Sequence, residues 1–356
     1  MTTRLAVLGA GLMGGGIALD AARHGLTVTV YDARPEGVDA LKARAAGVYG
    51  RWVKNGRMEA AAAEAALARI VAGSLAEAGT ADLVVEAVFE DLAVKRELFT
   101  ALAPHLGPDT VLASNTSALR IADLGTGLPF GDRILGLHYF SPAEVSPLVE
   151  VVRAETTGDA AIARAMAFLA ETNRTPLPCR DRPGFAINRF FCPYYNEATR
   201  IIEDGIAGPA DVDLVARERL GAAAGPFTVM NLIRPAVSAN AMANLAGLGP
   251  FYAPSRTLLA QGESGADWPL EASVPGADLD AVERRLLGAL VIPALEAAAE
   301  KVADPAAVDQ GAVLALKFRA GPFALLRQYP AETVAAAIEG LCRRHAHPIP
   351  ALAPAT

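Results

Sequence analysis

The sequence predicts an α/β protein: a doubly wound, mainly parallel sheet in the N-terminal half, then an all-α region that carries one helical unit twice. Three observations predict it. The chain opens on a strand–helix–strand pattern with a glycine-rich first turn. Short apolar strands then alternate with helical stretches as far as about residue 180. Beyond Asp181 the strand signal stops, and a set of residues recurs at one constant offset.

The first strand is the apolar run 4–8, which ends at Gly9. An amphipathic stretch follows over 12–24, then Gly25, then the alternation Thr27-Val28-Thr29-Val30-Tyr31, giving one βαβ unit. Further strands are expected at 83–88, 111–113, 134–140 and 148–152, with helices at 94–103 and 160–170 among them. In the second half, Arg189, Ala207, Pro209, Val212, Asp213 and Gly225-Pro226-Phe227 recur as Arg285, Ala303, Pro305, Val308, Asp309 and Gly321-Pro322-Phe323, each 96 residues on. An ungapped tripeptide in register with every other match indicates a duplicated helical unit. The expected domains are 1–182, 183–280 and 281–356. The stretch 247–280 is the less regular connection, and the proline-containing tail from His347 is expected to fray.

The turn after the first strand reads Gly9-Ala10-Gly11-Leu12-Met13-Gly14. Its first glycine permits a tight turn, the second lets the backbone approach a pyrophosphate, and the third lets helix and strand pack closely. The helix N-terminus meets the negative charge. Asp32 closes the second strand 18 residues after Gly14. A carboxylate there accepts from a ribose 2′-hydroxyl and repels a 2′-phosphate, so NAD is expected rather than NADP, with nearby Arg34 partly offsetting the repulsion. This makes the first domain a Rossmann-type sheet with Gly9, Gly11, Leu12, Met13, Gly14 and Asp32 as cofactor contacts. Gly15 and Gly16 have no role in that pattern.

Composition excludes several classes. A formal charge of −7 and a pI near 5.4 disfavour a nucleic-acid wrapper or polybasic membrane binder. No run reaches the ~18 apolar residues of a membrane span; the most apolar one, 286–295, contains Pro293. Residues 1–4 lead directly into the first strand with no signal region ahead. Three scattered cysteines suit a reducing cytoplasm and no metal site. Only five of the 32 basic residues are lysine and alanine is abundant, so alanine runs carry little information.

Of five histidines, His24, His105, His345 and His347 lie at helix ends or in the tail, where a solvated or capping role is the default. His138 sits inside the apolar strand 134–140. Pro142 and Pro147 punctuate the loop after it, and Leu148-Val149-Glu150-Val151-Val152 resumes as strand. Folding back about Glu144 sets His138 opposite Glu150, where paired side chains can touch. A buried carboxylate beside an imidazole fixes its tautomer and favours the imidazolium, poising the ring for proton exchange near neutrality.

These residues resemble the L-3-hydroxyacyl-CoA dehydrogenase family of fatty-acid β-oxidation, in particular the dehydrogenase portion of the bacterial multifunctional β-oxidation proteins. The segments that carry the resemblance are Gly9 to Gly14, Val84-Val85-Glu86-Ala87-Val88-Phe89-Glu90-Asp91, Ser114-Asn115-Thr116-Ser117, the run from His138 to Glu150, and Arg182-Pro183-Gly184-Phe185-Ala186-Ile187-Asn188-Arg189. The resemblance implies that His138 is the general base and that Glu150 orients it. It implies that Ser117 and Asn188 hydrogen-bond the substrate oxygen, that Glu90 and Lys95 contact the NAD ribose or nicotinamide side, and that Asn115 lies close to the nicotinamide ring. Ordinary alternatives stand beside these roles: Ser117 as a turn cap, Lys95 as a solvated helix residue, Asn188 as a helix-start hydrogen bond. Two departures matter. Ser141 stands where the family usually has Asn, and Ala222-Ala223-Ala224-Gly225-Pro226-Phe227-Thr228 replaces the usual Gly-Pro-Met-Gly-Pro-Phe-Glu, a region that shapes the acyl pocket in the family.

Arg44, Arg51 and Lys54 share one face of the second helix by spacing, and Arg57 follows the Asn55-Gly56 stop. In the family this segment faces the CoA nucleotide. Lys54 and Arg57, with Ser141, are therefore candidate substrate contacts, against the plainer reading of a charged helix face. The expected activity is NAD-dependent oxidation of an L-3-hydroxyacyl-CoA to the 3-oxoacyl-CoA. Two other readings stay open: a free-hydroxy-acid dehydrogenase of the gulonate-oxidising type, and a non-catalytic, crystallin-like NAD-binding protein. The expected partner is an acyl-CoA thioester, without nucleic acid or membrane. An enoyl-CoA hydratase is expected on a separate polypeptide, and monomer and homodimer are both open.

Overall fold

The computed structural model describes residues 3–351. The N-terminal Met1-Thr2, read above as free of a signal region, and the last five residues of the tail lie outside the described residues. The chain divides into two compact units, one through Asp181 and one from Arg182.

The first unit runs β1 (Leu5–Leu8), α1 (Leu12–Arg23), β2 (Val28–Tyr31), α2 (Gly37–Lys54), α3 (Ala60–Ala68), β3 (Ile70–Ala72), α4 (Leu75–Gly79), β4 (Leu83–Glu86), α5 (Leu92–Leu102), β5 (Val111–Ser114), α6 (Ile121–Gly125), β6 (Ile134–Tyr139), β7 (Leu148–Arg153), α7 (Asp159–Glu171) and β8 (Thr175–Arg180). One eight-stranded sheet has the order β3-β2-β1-β4-β5-β6-β7-β8. All pairs are parallel except β6 with β7. The central strands β1, β4 and β5 are buried along their whole length, which is why they read as unbroken apolar runs rather than alternations. The sequence gives no sign of β3 or β8. β3 has three residues, and β8 contains Pro176 and Pro178. Two residues apart, those prolines turn their missing N–H groups to one side, which an edge strand tolerates.

The second unit is helical among the described residues: α8 (Asn188–Glu203), α9 (Pro209–Glu218), α10 (Pro226–Ile233), α11 (Pro235–Ala243), α12 (Arg256–Ser264), α13 (Leu279–Ala299), α14 (Pro305–Leu316), α15 (Pro322–Gln328) and α16 (Ala331–Arg344). The apolar run 286–295 is the buried centre of α13, which packs most extensively on α8. No described helix is long and apolar enough to cross a membrane.

The offset of 96 is a structural repeat. Asp213 Oδ1 accepts the Phe227 N–H at 2.9 Å, and Asp309 Oδ1 accepts the Phe323 N–H at 2.9 Å. Each aspartate thus satisfies a donor that the start of the next helix leaves unpaired. An added Cβ on Gly225 or Gly321 would lie 2.2 or 2.3 Å from the respective aspartate. Pro209 and Pro305 both occupy the first helical turn, where a missing N–H costs nothing. The backbone repeats even where residues differ: Gly205 has φ 68° and its counterpart Lys301 φ 55°. Ion pairs link the copies reciprocally. Arg285 Nη1 meets Asp204 at 2.5 Å and Arg189 Nη2 meets Glu300 at 2.5 Å, with 189 equivalent to 285 and 204 to 300. Residue i on j, and j on i, is the signature of two-fold symmetry.

The expectation of a frayed tail is corrected at its first residue, His347. His347 Nε2 lies 2.6 Å from Glu296 Oε1, and its ring packs on Phe251 with centroids 5.3 Å apart. His345 Nε2 sits 3.3 Å from buried Glu197. Apolar contact and a carboxylate partner hold each ring, and neither is a solvated tail residue.

Candidate active site

β1 pairs with β2 on one side and β4 on the other, so the crevice at their carboxyl ends is the topological switch point of the sheet. Gly9 bridges β1 to the loop at φ 103°, and a Cβ there would lie 2.6 Å from the Ala87 carbonyl oxygen. On Gly14 a Cβ would meet the Gly9 carbonyl oxygen at 2.0 Å. Gly11 is different, with open space where its side chain would be. Exposed Leu12 and half-buried Met13 begin α1, whose N-cap makes no side-chain hydrogen bond. Its first N–H groups are thus offered to an anion.

Asp32 Oδ2 accepts the Ala10 N–H at 2.7 Å, and Oδ1 accepts the Arg34 N–H at 2.9 Å and Arg34 Nε at 3.3 Å. Burial alone would raise its pKa, but these donors outweigh burial and hold it below the usual aspartate range. Each oxygen keeps lone-pair capacity for a ribose hydroxyl. Gly37 allows the carboxylate to sit there, because a Cβ would lie 2.6 Å from Asp32 Cγ. Open space at Gly11, an uncapped helix end and a fixed carboxylate together fit a dinucleotide such as NAD.

Next to that crevice is a buried ionic ring whose centre, Glu86, was not singled out from the sequence. Glu86 is 0% exposed, and its Oε1 accepts from Lys95 Nζ at 2.6 Å and the Val88 N–H at 2.7 Å, while Oε2 accepts from Ser114 Oγ at 2.6 Å. Lys95, 1% exposed, also reaches Glu90 Oε2 at 3.1 Å. Glu90 Oε1 accepts the Thr116 hydroxyl at 2.6 Å and the Ser117 N–H at 2.9 Å. Burial tends to raise the Glu90 pKa, but Lys95, Thr116 and Ser117 hold it below the ordinary glutamate range. Removing one member of such a buried pair typically costs about 3–5 kcal/mol, because the other charge is left uncompensated. An apolar strand that ends abruptly in Glu, nine residues before a helical Lys, was the available signal. Lys95 itself is not a solvated helix residue.

The strand register sets His138 opposite Glu150. His138 Nδ1 lies 2.6 Å from Glu150 Oε2, with His138 6% exposed and Glu150 0%. The Phe140 ring packs on the imidazole with centroids 4.6 Å apart. Asn115 Oδ1 accepts the Tyr139 N–H at 2.9 Å, which ties the loop after β5 to the strand that bears His138. In this way Glu90, Asn115 and Ser117 belong to the carboxyl-end loops of β4 and β5, Lys95 to α5 that follows β4, and His138 and Glu150 to the adjoining β6–β7 pair. Ser141 is exposed on the turn after β6, and Lys54 and Arg57 are exposed around the end of α2. Arg44, which shares a helix face with Lys54 by spacing, is spent on an ion pair with Glu144 at 2.9 Å. Asn188 is the first residue of α8, in the second unit.

A doubly wound sheet with a dinucleotide cradle and a carboxylate-steadied histidine defines a nicotinamide-dependent oxidoreductase. Comparison with known proteins narrows the class. Residues 4–182 match the family described as 3-hydroxyacyl-CoA dehydrogenase, NAD binding domain, and residues 184–265 and again 282–355 match 3-hydroxyacyl-CoA dehydrogenase, C-terminal domain. The chain belongs to the 3-hydroxyacyl-CoA dehydrogenase family. It is 35% identical over 234 residues to a probable 3-hydroxyacyl-CoA dehydrogenase of Caenorhabditis elegans, covering 64% of this chain and 76% of the relative. It is 37% identical over 233 residues to the 3-hydroxyadipyl-CoA dehydrogenase of Escherichia coli, covering 64% of this chain and 48% of the relative, about half its length. The solved 3-hydroxybutyryl-CoA dehydrogenase of Escherichia coli K12 has the same fold, with a TM-score of 0.88, 22% identity and coverage of 99% and 97%.

Proposed function

We propose that this chain oxidises the L-3-hydroxyl of a 3-hydroxyacyl-CoA thioester to the 3-oxo group, with His138 taking the hydroxyl proton. The observation that carries this reading is the 2.6 Å bond between His138 Nδ1 and a wholly buried Glu150. An ionised carboxylate only accepts, so Nδ1 keeps its proton and exchange at the ring is left to Nε2. As Nε2 gains the substrate proton, the adjacent carboxylate stabilises the imidazolium; in reduction the same proton returns to the 3-oxo oxygen. NAD, when bound, supplies the hydride acceptor.

Ser117 and Asn188 are assigned the hydrogen bonds to the substrate oxygen, and Glu90 fixes the main chain at Ser117. Lys95 acts through Glu90, since its buried ammonium is shared by two carboxylates. Asn115 aligns the cofactor side with β6, while Ser141, Lys54 and Arg57 are outer substrate contacts, the two cations meeting CoA phosphates. Similarity to relatives named for adipyl and butyryl thioesters supports a CoA-linked substrate. The setting proposed is the cytoplasm.

The test follows NADH consumption with acetoacetyl-CoA and, in parallel, with acetoacetate. Turnover of the thioester is expected, with a loss of about 10²–10⁴-fold in His138→Gln. Unchanged activity in that variant, or no turnover of the thioester, would overturn the proposal. Turnover of the free acid alone would identify a free-hydroxy-acid dehydrogenase. NADH binding without any turnover would identify a binding protein.

A further inference from the structure

Gly15 and Gly16 follow the three glycines that a dinucleotide requires, and the neighbours of Gly16 belong to the turn after β6 rather than to the cofactor loop. A Cβ on Gly16 would lie 2.5 Å from Glu144 Oε2 and 3.0 Å from Ala143 Cβ, and one on Gly15 would lie 3.1 Å from Arg44 Nη1. Arg44 donates Nη2 to Glu144 Oε1 at 2.9 Å and Nη1 to the Leu12 carbonyl at 2.8 Å. Four residues along α1, on the same face as Gly16, buried Asp20 accepts Arg174 Nε at 2.6 Å, and Arg174 Nη1 donates to the Ser146 carbonyl. The turn 142–146 is therefore seated on one face of α1 at two points. It is also tied within itself, the Pro142 carbonyl accepting the Val145 and Ser146 N–H groups at 2.9 Å each. That turn joins β6 to β7, with His138 four residues before it and Glu150 four residues after it.

We propose that Gly16, Arg44 and Glu144 form a clasp that sets the His138–Glu150 pair against the phosphate-binding end of α1. They are positioning residues for proton transfer, and Gly16 serves the base instead of the phosphate. The inference rests on the function proposed above. Its physical basis is that a base held off its geometry by a fraction of an ångström loses rate while the dinucleotide cradle is untouched.

Gly16→Ala forces the buried Glu144 carboxylate off its seat, and Glu144→Gln removes the charge pair at constant volume. Both are expected to lower kcat with acetoacetyl-CoA by about tenfold or more, with the NADH dissociation constant, read by fluorescence titration, within about twofold of wild type. The double variant is expected to be no slower than the slower single one, because both break one contact. A kcat within twofold of wild type in Glu144→Gln, additive losses in the double variant, or NADH binding weakened as much as kcat would each overturn the clasp. Glu144→Gln keeps the question answerable if Gly16→Ala does not fold. If the wild-type protein turns over no 3-hydroxyacyl-CoA, the function falls separately. The clasp is then judged by amide hydrogen exchange, expected to quicken over 139–149 in both variants without change over α1, and overturned if it does not.

Discussion

The two copies of the helical unit keep different residues, and the difference separates folding from chemistry inside one chain. Both retain the arginines at 189 and 285, the prolines at 209 and 305, the aspartates at 213 and 309, and Gly-Pro-Phe. Every one of these has a structural task on view: a reciprocal ion pair, a helix start, a cap, a close approach. The run 182–188, Arg-Pro-Gly-Phe-Ala-Ile-Asn, has no such echo. Its counterpart 278–284 reads Asp-Leu-Asp-Ala-Val-Glu-Arg, with Arg284 at the place of Asn188. A duplicated fold thus offers a control: what both copies share is packing and capping, while the run found in one copy adds Asn188 to buried packing residues of its own, Phe185, Ala186 and Ile187.

The largest effect expected from breaking this comparison is at Asn188. Asn188→Ala is expected to lower kcat/KM about 10²-fold, the scale for removing one donor from a reacting oxygen. Its counterpart Arg284→Ala is expected to leave steady-state kinetics unchanged and shift stability by less than about 0.5 kcal/mol. Equal kinetic losses in the two variants would erase the distinction. Next come the caps. Asp213 accepts the Phe227 and Thr228 N–H groups and the Thr228 hydroxyl, whereas Asp309 draws the Phe323 and Ala324 N–H groups and Arg327 and has no hydroxyl donor in the place of Thr228. Urea denaturation should therefore show about 2–3 kcal/mol lost in Asp213→Ala and about 1 kcal/mol in Asp309→Ala, because more buried donors are orphaned in the first.

Smaller again is the backbone at Lys301, whose φ of 55° is met in the first copy by Gly205. Left-handed backbone costs a side-chain-bearing residue about 1 kcal/mol, so Lys301→Gly should raise the thermal midpoint by a few degrees, and a lowered midpoint would refute the equivalence. The smallest is a pH effect at Asp204. Burial pushes its pKa up, but Arg285 and Arg344 prevail and hold it below its ordinary 3.8. A carboxyl with a depressed folded pKa adds stability that is complete above its unfolded pKa and is lost as pH falls through the folded one. Asp204→Asn should thus cost stability at neutral pH and flatten the acid limb below about pH 4, measured by midpoints across a pH series.

Much of the sheet was legible because its signals are local. Apolar runs, the glycine turn and Asp32 each sit within about thirty residues of chain, and the strand register follows from the midpoint of a short loop. β8 escaped because proline normally argues against a strand and only its edge position permits it. The C-terminal histidines were half legible for a related reason. His345 does end a helix, as its position implied, but the partners of His345 and His347, Glu197 and Glu296, lie about 150 and 50 residues away.

The sequence by itself determined the two architectures, the dinucleotide turn, the pairing of His138 with Glu150 and the repeat of 96, since each is a pattern of spacing along the chain. Tertiary structure alone decided that Glu86 holds Lys95 out of solvent, that Arg44 is spent on Glu144, and that Gly16 receives the turn beyond His138. Such contacts in the sheet unit join residues as much as 100 and 154 positions apart, Arg44 with Glu144 and Arg174 with Asp20, and no periodicity records which buried charge will meet which.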